Sequence, residues 1–187
     1  SVLLLNVDKV MLEHFVGLEL LGVFFLAQRT ASFLNVVPKR IVNIFVPRFS
    51  KLFEENKFDE IRRLSSLAIQ YQSYLLLSVI GVLALSADNL FTLIYGSDSI
   101  TSVPVFTVLL LSIYVYSIGM PFSAQFISTG HTGIAFSINA LVLFTNIICN
   151  LILIPDQVYG YKTLDYGIIG AAYSTVISLS FKFIFSY

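Results

Sequence analysis

Charge is what this sequence has least of. Only 12% of its 187 residues are Asp, Glu, Lys or Arg, against about 25% in a soluble domain. The signs balance at 11 each, so no basic excess marks a nucleic-acid partner. Cysteine is almost absent. Cys149 stands in an apolar run, cannot form an internal disulfide, and carries no information on redox compartment. His14 and His131 have no Cys or carboxylate at ligand spacing, which argues against a metal site. There is no nucleophile elbow and no glycine-rich phosphate loop. Neither strand alternation nor a long polar loop is found. These absences argue against an enzyme, and no cofactor is expected.

Apolar residues fill the space left by charge. They make up 57% of the chain, and mean hydropathy is +0.86. Such a composition predicts an all-α integral membrane bundle rather than a soluble domain. A spanning helix needs about 20 mostly apolar residues. On that criterion 1–15 reads as the last turns of a helix, with spans near 19–47, 64–87, 103–126, 132–154 and 167–187. The span at 19–47 exceeds the bilayer and carries Pro38 at its middle, which predicts a kink. "DNLFTLIYG" (88–96) is too short to cross and predicts an interfacial helix ending at Gly96. Asp8 and Lys9 interrupt the first apolar run, against a signal peptide. "VLLL" directly follows Ser1, and "VISLSFKFIFSY" is still membrane-like at the end, so the sequence reads as an internal piece of a longer membrane protein.

Orientation follows from Lys and Arg placement. Arg48, Lys51, Lys57, Arg62 and Arg63 crowd the segment 48–63, whose apolar periodicity (Leu52, Phe53, Phe58, Ile61, Leu64) predicts an amphipathic surface helix. "GSDSITS" and "PDQVYGYKTLDYG" hold three Asp and one Lys between them. The basic segment and the "STGHTG" turn are therefore expected on the cytoplasmic side of the cell (inner/plasma) membrane, and the Asp-bearing loops outside. Tyr and Phe near the span ends read as the interfacial belt.

Some polar side chains fall where lipid should be. An intramembrane Arg costs at least about 2.5–3.5 kcal/mol, so it normally faces a polar cavity. Arg29 sits far from both ends of its span. Arg40 follows eleven residues later, which at 100° per residue returns to nearly the same face, and Lys51 extends the row. Lys39 and Arg40 lie roughly 12 Å from the basic end and either snorkel or join the row. A cationic stripe of this kind suits an anionic passenger, because guanidinium pairs bidentately with phosphate. Asp8 and Lys9 read either as a local ion pair or as an ion-coupling site. Asn139, Asn146 and Asn150 share one helical face and read as interhelical glue. Gln125 and Ser123, beside Pro121, either line a cavity or satisfy local backbone. "YGIIGAAYST" (166–175) predicts close helix packing through small residues.

Six stretches occur in one order: "VDKVMLEHFVGLELLGVFFLAQRTAS", "VPRFSKLFEE", "LFTLIYGSDSITSVPVFTVL", "STGHTG", "NLILIP" and "YGIIGAAYSTVIS". That series resembles the polysaccharide flippase family, grouped with the multidrug and toxic compound extrusion transporters and the lipid II flippase. The resemblance implies twelve to fourteen helices in two six-helix lobes around a central cavity, this chain being the second lobe and the N-terminal lobe lying elsewhere in the same protein. It implies alternating access that carries an undecaprenyl-pyrophosphate-linked oligosaccharide from the cytoplasmic to the outer leaflet for polysaccharide or O-antigen synthesis. It implies that Arg29, with Lys39 and Arg40, contacts the pyrophosphate, that Gln125 lines the cavity, and that Asp8 and Lys9 couple transport to a proton or sodium. Lys39 and Arg40 depart from the family, which often has small or apolar residues there. A cation-coupled multidrug antiporter of the same superfamily is the alternative; it needs a deep carboxylate, and only Asp8 is offered. A membrane-embedded glycosyltransferase would need a catalytic cluster in a sizeable outer loop, and these loops are short.

Overall fold

The computed structural model describes the backbone of residues 2–158 and 161–186, and side chains for 6–157 and 162–182. Residues 1 and 187 and the side chains of 2–5 and 183–186, at the ends of the expected terminal helices, lie outside that description. The chain folds as an all-α membrane bundle. Among the described residues, four helical stretches are long and apolar enough to cross a membrane: Leu18–Glu54, Phe58–Leu85, Ser97–Ser128 and Thr132–Leu153. Helix α1 is Val2–Phe15, and Gly17, at φ 90°, separates it from α2, Leu18–Ser32.

The first long stretch is not one helix. Helix α2 passes through a 3₁₀ turn, Phe33–Asn35, into α3, Val36–Glu54. Pro38 explains the place. Its ring crowds the carbonyl four residues back, that of Leu34, so the ladder breaks one turn before the proline itself. Pro38 then occupies the first turn of α3, where a missing N–H costs nothing. The third stretch breaks similarly. Helix α6, Val103–Ile118, ends at Gly119, and α7, Met120–Ser128, starts with Pro121 in its first turn.

Between α3 and α4, Phe58–Leu85, the separate amphipathic helix expected over 48–63 does not form. Those residues are shared between the end of α3 and the start of α4. The break is Asn56, at φ 56°, a left-handed conformation that asparagine tolerates. The N–H of Lys57 bonds the Leu52 carbonyl at 2.9 Å and that of Asn56 bonds Phe53 at 3.0 Å, closing α3. Lys57 Nζ lies 2.8 Å from Glu55, a hydrogen bond that holds the Glu55 carboxyl below its usual pKa and raises that of Lys57.

Helix α5, Ala87–Tyr95, follows α4 and ends at Gly96, whose φ of 90° demands glycine. A 3₁₀ segment, Ser97–Ser102, leads into α6. Helix α8, Thr132–Leu153, stops before Pro155. Although no strand was expected, Gln157–Val158 pairs antiparallel with Tyr161–Lys162, a two-residue ladder in the loop before α9, Gly167–Ser186. Backbone bonds from Thr163 to Asp156 (2.9 Å) and Asp165 to Pro155 (3.1 Å) tie the same loop back on itself.

Two apolar cores hold the bundle. The larger joins Leu12, Phe24, Ala27, Phe91, Phe106, Leu110 and Ala171 from α1, α2, α5, α6 and α9. The smaller joins Phe49, Leu52, Ile61 and Ala124 from α3, α4 and α7. Outside them the surface is greasy rather than polar: Tyr74, Leu85, Phe136 and Phe144 are each more than half exposed. A soluble protein would hide such faces, whereas lipid accepts them.

Helices α8 and α9 approach closely at Gly170. A methyl group placed on Gly170 would stand 2.8 Å from the carbonyl carbon of Leu153 and nearer still to its oxygen. Ala171, Ala172 and Ser174 beside it are fully buried, which is the small-residue packing expected of "YGIIGAAYST". Gly170→Val should therefore force α9 off α8 and lower the stability of the purified protein by roughly 1–3 kcal/mol, with Ala intermediate. Thermal melting in detergent checks this, with Gly133→Ala, which meets nothing within 4 Å, as control.

Candidate functional site

Where α1, α8 and α9 meet, the sequence puts a carboxylate among amides and hydroxyls. Asp8 is 0% exposed. Asn150 Nδ2 donates to its Oδ1 at 2.7 Å, and Thr175 Oγ1 lies 3.2 Å from its Oδ2. The same Asn150 Nδ2 is 3.2 Å from Asn146 Oδ1. Thr175 Oγ1 also lies 3.0 Å from the Ala171 carbonyl, and its single proton serves one acceptor at a time. An unpartnered carboxylate at such depth would be prohibitive, so these donors are what allow Asp8 to be there. Asn150 Oδ1 and Asn146 Nδ2 are buried without partners among the described residues. The asparagine pair was legible as interhelical glue. Thr175 was hidden in a segment whose small residues explained it without a polar role.

Asp8 and Lys9 are not an ion pair. Successive residues point about 100° apart on a helix. Asp8 turns to α8 and α9, while Lys9 Nζ lies over the Phe25 ring of α2, 4.8 Å from its centre. Among the described residues the ion pairs are Lys51–Glu55 and Lys57–Glu55, both at the α3–α4 turn. No carboxylate there neutralises Arg29, Lys39 or Arg40, and all three are exposed. They do not form one straight row. Each 3₁₀ residue turns about 120° instead of 100°, so Phe33–Asn35 rotates Arg40 by roughly 60° relative to Arg29. Gln125 is engaged: its Nε2 bonds Ser65 Oγ and ties α7 to α4.

One cation escaped the sequence reading. Lys182 lies in α9, donates to Asn139 Oδ1 at 3.2 Å, and sits 5.8 Å from the Tyr116 ring centre. The rule that singles out Arg29, a fixed charge in an apolar span, would have found it. Seven residues separate Lys182 from Thr175 and Asn139 from Asn146, so a polar seam runs down the facing sides of α8 and α9.

Comparison with known proteins adds one relationship. Over 178 residues the chain is 26% identical to the probable flippase AglR of Haloferax volcanii. The match takes in 92% of this chain but 35% of AglR, so the chain spans about a third of that curated relative's length. No family model matches, and no solved structure does.

Removing the Asp8 side chain strands one Asn150 Nδ2 proton, while the Thr175 hydroxyl falls back on the Ala171 carbonyl. Asp8→Ala should cost roughly 1–3 kcal/mol of stability, while Asp8→Asn, which keeps shape and acceptor, should cost less. Chemical or thermal unfolding in detergent micelles separates the two; equal effects would show that the network is not holding the three helices.

Proposed function

We propose that this chain forms one lobe of a membrane flippase for a lipid-linked oligosaccharide. The observation that carries the reading is Arg29: a guanidinium on a membrane-spanning stretch, exposed on the face of this bundle, with no carboxylate partner among the described residues. A permanently charged fork in that setting fits a phosphate-bearing passenger. Similarity to a probable flippase supports the same direction. In this reading Arg29 takes the pyrophosphate of an undecaprenyl-type carrier. Arg40 and Lys39, rotated off its line, meet the headgroup nearer the basic end of α3. Gln125 acts indirectly, holding α7 against α4. An N-terminal lobe of the same protein supplies the opposite wall of the cavity.

Asp8 belongs to the coupling half of the proposal. Its carboxylate, the free Asn150 Oδ1 and the Thr175 hydroxyl form an oxygen-rich set that could hold a proton or sodium. Lys9, held over Phe25, fixes the α1–α2 contact beside it. Occupancy would tighten α1, α8 and α9 around one point and so bias the lobe between two states.

Two experiments test this. In a flippase-deficient host, the full-length protein should restore lipid-linked sugar on the outer face. Arg29→Ala should abolish that restoration without loss of membrane insertion, and Arg29→Lys should restore it in part; an Ala variant with full activity sinks the binding role. Export of cationic drugs with no effect on lipid-linked sugars would instead favour the multidrug antiporter. For orientation, a cysteine placed by Glu54→Cys in a Cys149→Ser background should react with impermeant maleimide only from the cytoplasmic side, and one placed by Asp156→Cys only from outside. The reverse pattern would overturn the topology.

A further inference from the structure

An open groove, a cavity of about 360 Å³, lies between α2 and the Ser97–Ser102 segment, at the end of the bundle away from the basic turn. Gly22 and Leu26 of α2 form one wall, and Tyr95, Asp98, Thr101 and Ser102 the other. Its size is at the low end of small-molecule sites, which run to roughly 300–1,000 Å³. It is shallow and open on one side, and three features shape its lining. Ser102 is 1% exposed, and its Oγ has no partner among the described residues, a buried hydroxyl free to donate and accept. Tyr95 is fixed: its hydroxyl is 3.0 Å from Thr30 Oγ1, and its ring packs 5.7 Å from Phe91. Gly22 opens the wall, since a methyl group placed there would meet nothing within 4 Å.

We infer that this cavity is a saccharide subsite, taking a hydroxyl-rich sugar ring. The inference rests on the flippase reading above and names the part of the substrate that this cavity would read. A carboxylate accepts hydrogen bonds from neighbouring sugar hydroxyls, and the unpartnered Ser102 hydroxyl can donate or accept. The Thr101 hydroxyl, which donates to the Asp98 carbonyl at 3.3 Å, can accept, and a fixed aromatic wall covers the apolar face of a ring. No cation lines the cavity, and Asp98 repels phosphate, so the anionic headgroup belongs elsewhere. The spacing says where. Gly22 and Arg29 are seven residues apart on one unbroken helix, which puts them on nearly the same line and about 10 Å apart along it. A pyrophosphate at Arg29 would leave the attached glycan reaching toward the cavity.

The test uses the full-length protein in nanodiscs and three probes: polyprenyl pyrophosphate, the same lipid carrying a neutral disaccharide, and the free disaccharide. Wild type should bind the glycosylated lipid about tenfold more tightly than the bare lipid, the worth of one or two well-placed hydrogen bonds. Asp98→Asn, Ser102→Val and the cavity-filling Gly22→Leu should each bring that ratio to near unity while leaving bare-lipid binding unchanged. Arg29→Ala should weaken both lipids together. Equal binding of the two lipids by wild type, or a ratio that survives Gly22→Leu, overturns the subsite. Binding of neither lipid overturns the flippase reading and the subsite with it. Free disaccharide binding that is strong in wild type and lost in Asp98→Asn supports a sugar site and assigns it to free saccharide.

Discussion

The arrangement of the polar centre depends on one close approach, the backbone of Leu153 against Gly170. It lets the start of α9 come close to the end of α8. Only in that position does Thr175, one turn and a half further along α9, stand beside Asn150 of α8 with room for Asp8 of α1 between them. A side chain at 170 would spread the pair and leave the carboxylate facing donors out of reach. Close packing and polar chemistry are thus one constraint here. The apolar solvent supplies no hydrogen bonds, so helices carrying a buried carboxylate must approach closely enough to satisfy it themselves.

The cations follow a different logic. Asp8 is enclosed and answered by neighbours of this chain. Arg29, Lys39 and Arg40 are turned outward and answered by no carboxylate among the described residues. An enclosed, satisfied charge serves the bundle's own architecture or a small ion. An open, unsatisfied one serves something that arrives. That contrast, more than the similarity to a curated flippase, separates the two roles assigned in the proposed function.

Much of this was legible in the residues. Hydropathy marked the apolar stretches, and Pro38 lies within a turn of the first interruption, whereas Pro47 lies inside α3 without breaking it. The glycine at 96 and the small-residue run at 170–172 were equally plain. The sequence pattern misled at 48–63. Helical periodicity there is real, but it belongs to two helices, and only the left-handed Asn56 divides them. It misled again for Arg29 and Arg40, since the same-face argument assumes one uninterrupted ladder and Phe33–Asn35 interrupts it. Asp8 and Lys9 looked like a pair because they are adjacent, yet adjacency on a helix separates side chains. Thr175 and Lys182 could be placed only by tertiary structure or by stricter use of the rule that intramembrane charge is expensive.

The two interruptions have a mechanical side. Helix α2 packs into the larger core and α3 into the smaller; α6 and α7 divide between the two cores in the same way. What hydropathy draws as two long rods are therefore four short ones, jointed near Asn35 and Gly119. Among the described residues, α4 is the one helix that gives side chains to both cores without a break, with Ile61 in the smaller and Ile80, Leu83 and Ala84 against the larger. It is the spine of the bundle: a displacement at the basic turn has in α4 an unbroken rod to the far end, whereas the rods beside it are jointed.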